Sequence, residues 1–312
     1  MQPRPTAALM SIFLNSKQEL RSGWKLAAYV GFFLIILTAT GLAVSMVVSR
    51  RGASDLVQSQ VGLLALNGIT LFVPAVGAMW LTARFMDHRP LRAFGIGFVP
   101  RWQHHFLFGI AVAAGMLLVL IGGCYAFGYV SMHWTGRQVS PDVLLATCSA
   151  LLLAALNEEL VFRGFPLQLL IEGIGEWPGM IAMSALFGAL HLNNPNASFL
   201  GIVNTILAGI LMSLAYVRTR SLWMPYAIHA GWNLGLGFVF GFPLSGIDIP
   251  SLWTTGTAGS ETILGGDYGP EGGLLATFLF AAAAVIVERH GFINRTEARS
   301  GRHSGRDHRN RA

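Results

Sequence analysis

Charge is scarce in this 312-residue sequence. Asp, Glu, Lys and Arg together make up 12% of it, about half of the roughly 25% usual for a soluble domain. With 53% hydrophobic residues, too few charges remain to cover the surface of a water-soluble globule, and the composition points to a chain solvated by lipid. Cysteine is nearly absent. Cys124 and Cys148 both fall in apolar stretches and read as small buried hydrophobes, with a single disulfide between them as the alternative, and no Cys-based metal motif is present. No His-Glu-x-x-His segment occurs, so that form of zinc-protease helix is excluded. No internal repeat of the kind expected in an inverted-repeat transporter is visible. No cleavable signal peptide is evident either: the first apolar run, about 26–48, is too long for a signal h-region and reads as an uncleaved anchor.

What is present is a series of apolar stretches near the roughly 20 residues a spanning helix needs. They run about 26–48, 61–83, 106–130, 142–165, 177–192, 199–217, 222–241 and 272–288. The expected fold class is therefore all-α, a polytopic membrane protein with about eight transmembrane helices around an intramembrane cavity. The net charge of +6 sits in short loops and tails, a pattern of topology control and attraction to anionic membrane lipid, with no nucleic-acid partner expected. If all eight stretches span and the N-terminus is cytoplasmic, 18 of the 21 Lys and Arg residues fall on the cytoplasmic side, leaving Arg50, Arg51 and Arg137 outside. That asymmetry places both termini in the cytoplasm of a multi-pass cell-membrane protein. The expected division is a polar cytoplasmic tail over 1–22, a transmembrane domain over 23–288 and a basic, disordered tail over 289–312. The loop over about 242–271 is Gly-rich and acidic, without Lys or Arg, and fits the outer side.

Ionisable groups inside a membrane cost a few kcal/mol or more each, so each is a functional candidate. The deep ones are Glu158, Glu159, Arg163, His191 and His229, with Asn233 beside them. Glu159 and Arg163 are four apart and share a helix face, where they can pair. Glu158, rotated about 100° from Glu159, can point elsewhere and stay available as a base. His229 and Asn233 are also four apart, as are Phe187 and His191 on another helix. At about 1.5 Å per residue, His191 lies about 21 Å and His229 about 10 Å from the cytoplasmic ends of their helices. Glu158 lies about 18 Å from its own end if the fourth helix continues through Arg163 to about Leu170, with Pro166 able to kink it. A buried carboxylate with two imidazoles and a carboxamide suits hydrolysis: the carboxylate takes a proton from water, an imidazole holds that water or protonates the leaving amine, and the amide donates to the developing oxyanion.

At these residues the sequence resembles the type II CAAX proteases and bacteriocin-processing enzymes, the CPBP or Abi family. Glu-Glu-Leu-Val-Phe-Arg at 158–163 is similar to its EExxxR motif, Phe-Gly-Ala-Leu-His at 187–191 to FxxxH and His-Ala-Gly-Trp-Asn at 229–233 to HxxxN. Order and spacing agree, and the resemblance covers about 140–290, with Gly-Pro-Glu-Gly-Gly at 269–273 similar to bacterial members. It implies an eight-helix endopeptidase whose cavity opens to lipid and cytosol. In eukaryotic members the activity removes the last three residues of prenylated CAAX proteins, so the implied partner is a membrane-anchored peptide or protein substrate. Carried over, Glu158 activates water with His191, His229 and Asn233 form the oxyanion site, and Glu159 and Arg163 support them. A glutamate-based mechanism without a cofactor is favoured; a zinc ion held by Glu158, His191 and His229 is the alternative. Two further classes stay open on the residues alone: a non-catalytic scaffold or bacteriocin-immunity protein, and a proton-coupled transporter.

Overall fold

The computed structural model describes residues 11–50 and 60–307. The first ten residues of the expected N-terminal tail and the last five of the C-terminal one lie outside the described residues. Among the described residues nine principal helices follow in order: α1 Ser22–Arg50, α2 Gln60–Thr82, α3 Trp102–Leu117, α4 Pro141–Phe162, α5 Phe165–Ile174, α6 Glu176–Leu190, α7 Phe199–Thr219, α8 Trp223–Asn233 and α9 Leu274–Asp307. A two-stranded antiparallel sheet, β1 Val130–Trp134 with β2 Trp253–Thr257, pairs Trp134 opposite Trp253. Helix thus lies over every apolar stretch named above, and the protein is an all-α polytopic membrane protein. Among the described residues, five segments are long and apolar enough to cross a bilayer by length and composition: Ser22–Ser49, Ala65–Asp87, Trp102–Ala126, Pro141–Ile174 and Phe199–Thr219. Their outward faces carry large apolar side chains, including Ile35, Leu118 and Leu145, that water would not tolerate in such number.

The helices form one connected bundle. α4 packs between α2 and α8, α8 also lies against α3 and α7, and α7 joins α6 and α9. With apolar lipid outside, helix association rests on close packing and buried polar contacts more than on hydrophobicity. Asn157 of α4 donates to the carbonyl of Gly68 in α2 at 2.6 Å. At Gly209 in α7 a Cβ would meet the Ser184 side chain of α6 at 2.9 Å, so only glycine permits that crossing.

The fourth helix does not run unbroken through Arg163 to Leu170, the condition on which the depth of Glu158 is reckoned above. The chain stops at Phe162, caps at Arg163, turns at Gly164 and starts again at Phe165. Pro166 accounts for the break, because it lacks an N–H and its ring clashes with the carbonyl four residues back. α5 nevertheless carries the chain on in the same sense: Glu172 pairs with Arg89 at 3.0 Å, and Asp87 with both Lys25 and Arg89, at one end of the bundle. At the opposite end sit the β1–β2 sheet and the loops that follow α6 and α8. α9 is helical through Asp307, so no break in secondary structure marks position 289. Within it Glu288 binds Arg218 of α7 at 2.7 Å.

Candidate active site

α4 delivers two adjacent carboxylates into different surroundings. Glu159 is wholly buried, whereas the Glu158 side chain is 31% exposed. Rotation of about 100° per residue separates them. Glu159 Oε1 accepts from Arg163 Nη1 at 3.2 Å and from His229 Nδ1 at 2.8 Å. The Arg163 guanidinium is itself fully buried. Its Nη2 donates to the Gly209 carbonyl at 3.4 Å, and its centre lies 4.5 Å from the Phe187 ring centroid, a cation–π contact. The close crossing at Gly209 is what brings that carbonyl within reach. The expected Glu159–Arg163 pair therefore forms, and it binds α4 to α7 and α8.

Glu158 faces a cavity of about 230 Å³. His191, His229 and Asn233 line the same cavity, with Phe187, Trp232 and Phe280 among its apolar walls. His191 sits at the C-terminal cap of α6, where its Nδ1 lies 2.7 Å from the Phe187 carbonyl. A carbonyl only accepts, so Nδ1 carries the proton and Nε2 is the ring nitrogen left for other partners. By the same reasoning His229 gives its Nδ1 proton to Glu159, and its Nε2 lies 3.7 Å from Glu158 Oε2. In the cationic form that second nitrogen donates as well; in the neutral form it accepts. Asn233 ends the α-helical part of α8, and a π-helical turn, Leu234–Val239, follows it directly. Such bulges frequently accompany functional sites.

All six residues singled out in the sequence thus fall in one cluster: four on the cavity wall, and Glu159 and Arg163 behind it. Residues 140–235, which contain all of them, match the family described as Type II CAAX prenyl endopeptidase Rce1-like. The chain is also 34% identical over 228 residues to the "Uncharacterized 24.3 kDa protein" of Escherichia coli, an alignment that covers 68% of this chain and 97% of that one. This chain belongs to the Rce1-like family. Membership brings the CAAX-protease type of hydrolase and a membrane-associated peptide or protein as the class of substrate.

The zinc alternative for this Rce1-like site is tested by the donors themselves. Among the described residues no three His, Cys, Asp or Glu side chains are placed to hold a metal ion. As placed, Glu158, His191 and His229 do not come together as a zinc site.

The cavity also contains residues that the sequence did not assign to it. Glu271, Ser245 and Asn194 line it together with Leu244, Ile247 and Ile249. Glu271 accepts from Trp232 Nε1 at 3.0 Å and from the Ser245 backbone N–H at 2.6 Å and hydroxyl at 2.7 Å. Its Gly-Pro-Glu-Gly-Gly setting was visible, but a contact reaching 39 residues back to Trp232 leaves no local pattern. Cys124 and Cys148 are both free thiols.

Proposed function

We propose that this protein is an intramembrane endopeptidase that hydrolyses a peptide bond of a membrane-tethered protein or peptide, with Glu158 as the base that activates water. The observation that carries this reading is the meeting of Glu158, His191, His229 and Asn233, from three separate helices, on one cavity wall, with a carboxylate oxygen of Glu158 3.7 Å from His229 Nε2. Glu158 is the partly exposed member of the carboxylate pair and is free to accept a proton. Glu159 is held by two donors and serves to orient His229, as a buried carboxylate orients the imidazole of a catalytic triad.

In the proposed reaction Glu158 takes a proton from water as the oxygen attacks the scissile carbonyl. The resulting oxyanion is met by the Asn233 amide and by His229 Nε2–H when the ring is cationic. His191, with Nδ1 anchored on the Phe187 carbonyl, offers Nε2 to the attacking water. The proton held by Glu158 then passes to the leaving nitrogen as the C–N bond breaks, which restores the carboxylate. Both termini lie in the cytoplasm in this reading, so the end of the bundle bearing Arg89 and Glu172 is cytoplasmic and the β1–β2 end is outside.

Comparative proteomics of membranes from cells carrying the natural protein or Glu158→Gln tests the proposal. Uncleaved membrane peptides should accumulate in the variant while the protein inserts at normal levels. An unchanged membrane proteome with a normally inserted variant would favour a scaffold or immunity role instead.

A further inference from the structure

We propose that Glu271 is a positioning residue for the cavity: its carboxylate latches the loop 242–252, which roofs the cavity at the β1–β2 end, onto the helix that carries His229 and Asn233. The proposal rests on reading the cavity as the hydrolytic site. Leu244, Ser245, Ile247 and Ile249 of that loop form the roof. One carboxylate oxygen of Glu271 accepts both the backbone N–H and the hydroxyl of Ser245, and the other accepts the indole N–H of Trp232. Trp232 immediately precedes Asn233 and packs edge-on against Phe280 of α9 at 5.2 Å. Both oxygens are thus occupied by three donors from two elements, and charge-assisted bonds of this kind are the strong ones.

The latch stands on a rigid base. Asn204, fully buried in α7, donates to the backbone carbonyls of Glu271 at 2.8 Å and Gly273 at 2.9 Å, and accepts from the Thr277 hydroxyl at 2.7 Å. The roof is held elsewhere by Asn194 Nδ2, which donates to the Ser245 carbonyl at 3.2 Å, and by backbone bonds: the Gly246 N–H to the Tyr268 carbonyl at 2.9 Å, the Phe242 N–H to the Leu236 carbonyl at 3.1 Å and the Leu252 N–H to the Phe238 carbonyl at 2.9 Å. Gly246 has φ +84°, and a Cβ there would run into the Pro195 carbonyl, so the loop seats against the segment after His191 as well. Glu271 is consequently unavailable as a second base. Its negative charge instead ties roof to wall. An amide cannot replace it, because a glutamine offers one acceptor oxygen and must turn its NH2 toward either Trp232 or Ser245, both donors.

A thiol-accessibility measurement on the full chain in detergent tests the latch. Cys124 and Cys148 are replaced by alanine. Thr205→Cys, on the cavity wall, then reports on access beneath the roof, and Leu167→Cys, fully buried in α5, reports on general loosening. Adding Glu271→Gln should raise the rate of modification by a charged methanethiosulfonate at Thr205→Cys about tenfold or more, the factor expected for losing a hydrogen bond to a charged group. Ser245→Ala should raise it less, and Leu167→Cys should not change. Equal rates at Thr205→Cys with and without Glu271→Gln overturn the proposal, as does a rise shared by Leu167→Cys. If Glu271→Gln does not fold, Trp232→Phe and Ser245→Ala carry the test, since each removes a donor and leaves the carboxylate in place. Failure of both to raise the Thr205→Cys rate is then the contrary result. Glu158→Gln in the same background keeps the two proposals apart: it reports on proteolysis and should leave labelling unchanged.

Discussion

Removing Arg163 offers a quantitative test of how the site is supported. Arg163→Met keeps the aliphatic volume and discards the guanidinium. Glu159 is then left with His229 as its only partner, in a position with no exposure to solvent. Breaking a buried ion pair by removing one partner costs about 3–5 kcal/mol, chiefly because the remaining charge is uncompensated. For a chain of this size the loss corresponds to a fall in melting temperature on the order of 10 °C. The lost bond to the Gly209 carbonyl and the lost contact with the Phe187 ring add to the effect in the same direction. The double variant Glu159→Gln/Arg163→Met removes both charges and should recover about 2 kcal/mol or more of that loss, a coupling of the size expected for contacting residues. Differential scanning fluorimetry of the single and double variants in detergent measures it. A double variant no more stable than Arg163→Met, or a single variant as stable as the natural protein, would refute the reasoning. Stability and activity should part company here, since the double variant still lacks the carboxylate that orients His229 and should stay inactive.

Other outcomes follow from single contacts. Glu159→Gln alone should lose stability on the scale of Arg163→Met, because it leaves the buried guanidinium without its counter-charge, and in the folded protein should lower kcat about 100-fold or more by withdrawing the charge that supports the imidazole, with KM nearly unchanged. Asn157→Leu should cost about 1 kcal/mol by removing the interhelical bond to the Gly68 carbonyl, measured as a lower midpoint of thermal unfolding with the cavity chemistry intact. Gly209→Ala should push α6 from α7 by the Ser184 contact and destabilise by about 1–3 kcal/mol, with loss of activity in step because the Arg163 acceptor moves. Chelators such as 1,10-phenanthroline should leave cleavage unchanged, and metal analysis of active protein should find no stoichiometric zinc.

Much of this was legible in the sequence because bilayers simplify the problem. Apolar runs of spanning length can be counted, and the few polar side chains within them stand out against the cost of burying them. Spacing alone placed Glu159 opposite Arg163 and left Glu158 free, as the helix geometry requires. The break at Gly164 was harder, because a proline inside a spanning helix is tolerated in some contexts and interrupts the helix in others; Pro166 was read as a kink and produces a stop. The π-helical turn after Asn233 has no sequence signature that separates it from α-helix. Glu271 escaped because its partners, Trp232 and Ser245, lie 39 and 26 residues away, a distance set by loop packing that no periodicity encodes. The fold class and the cluster of six were therefore readable, and the roof that closes over them was not.

The most direct test of Glu158 as the hydrolytic base is cleavage by purified protein reconstituted in liposomes, using a membrane peptide identified by its accumulation in Glu158→Gln cells. The natural protein should cut that peptide in the presence of chelator, and Glu158→Gln, equally folded and reconstituted, should show no cleavage above background. Cleavage by Glu158→Gln at a rate within tenfold of the natural protein would contradict a role for this carboxylate in activating water.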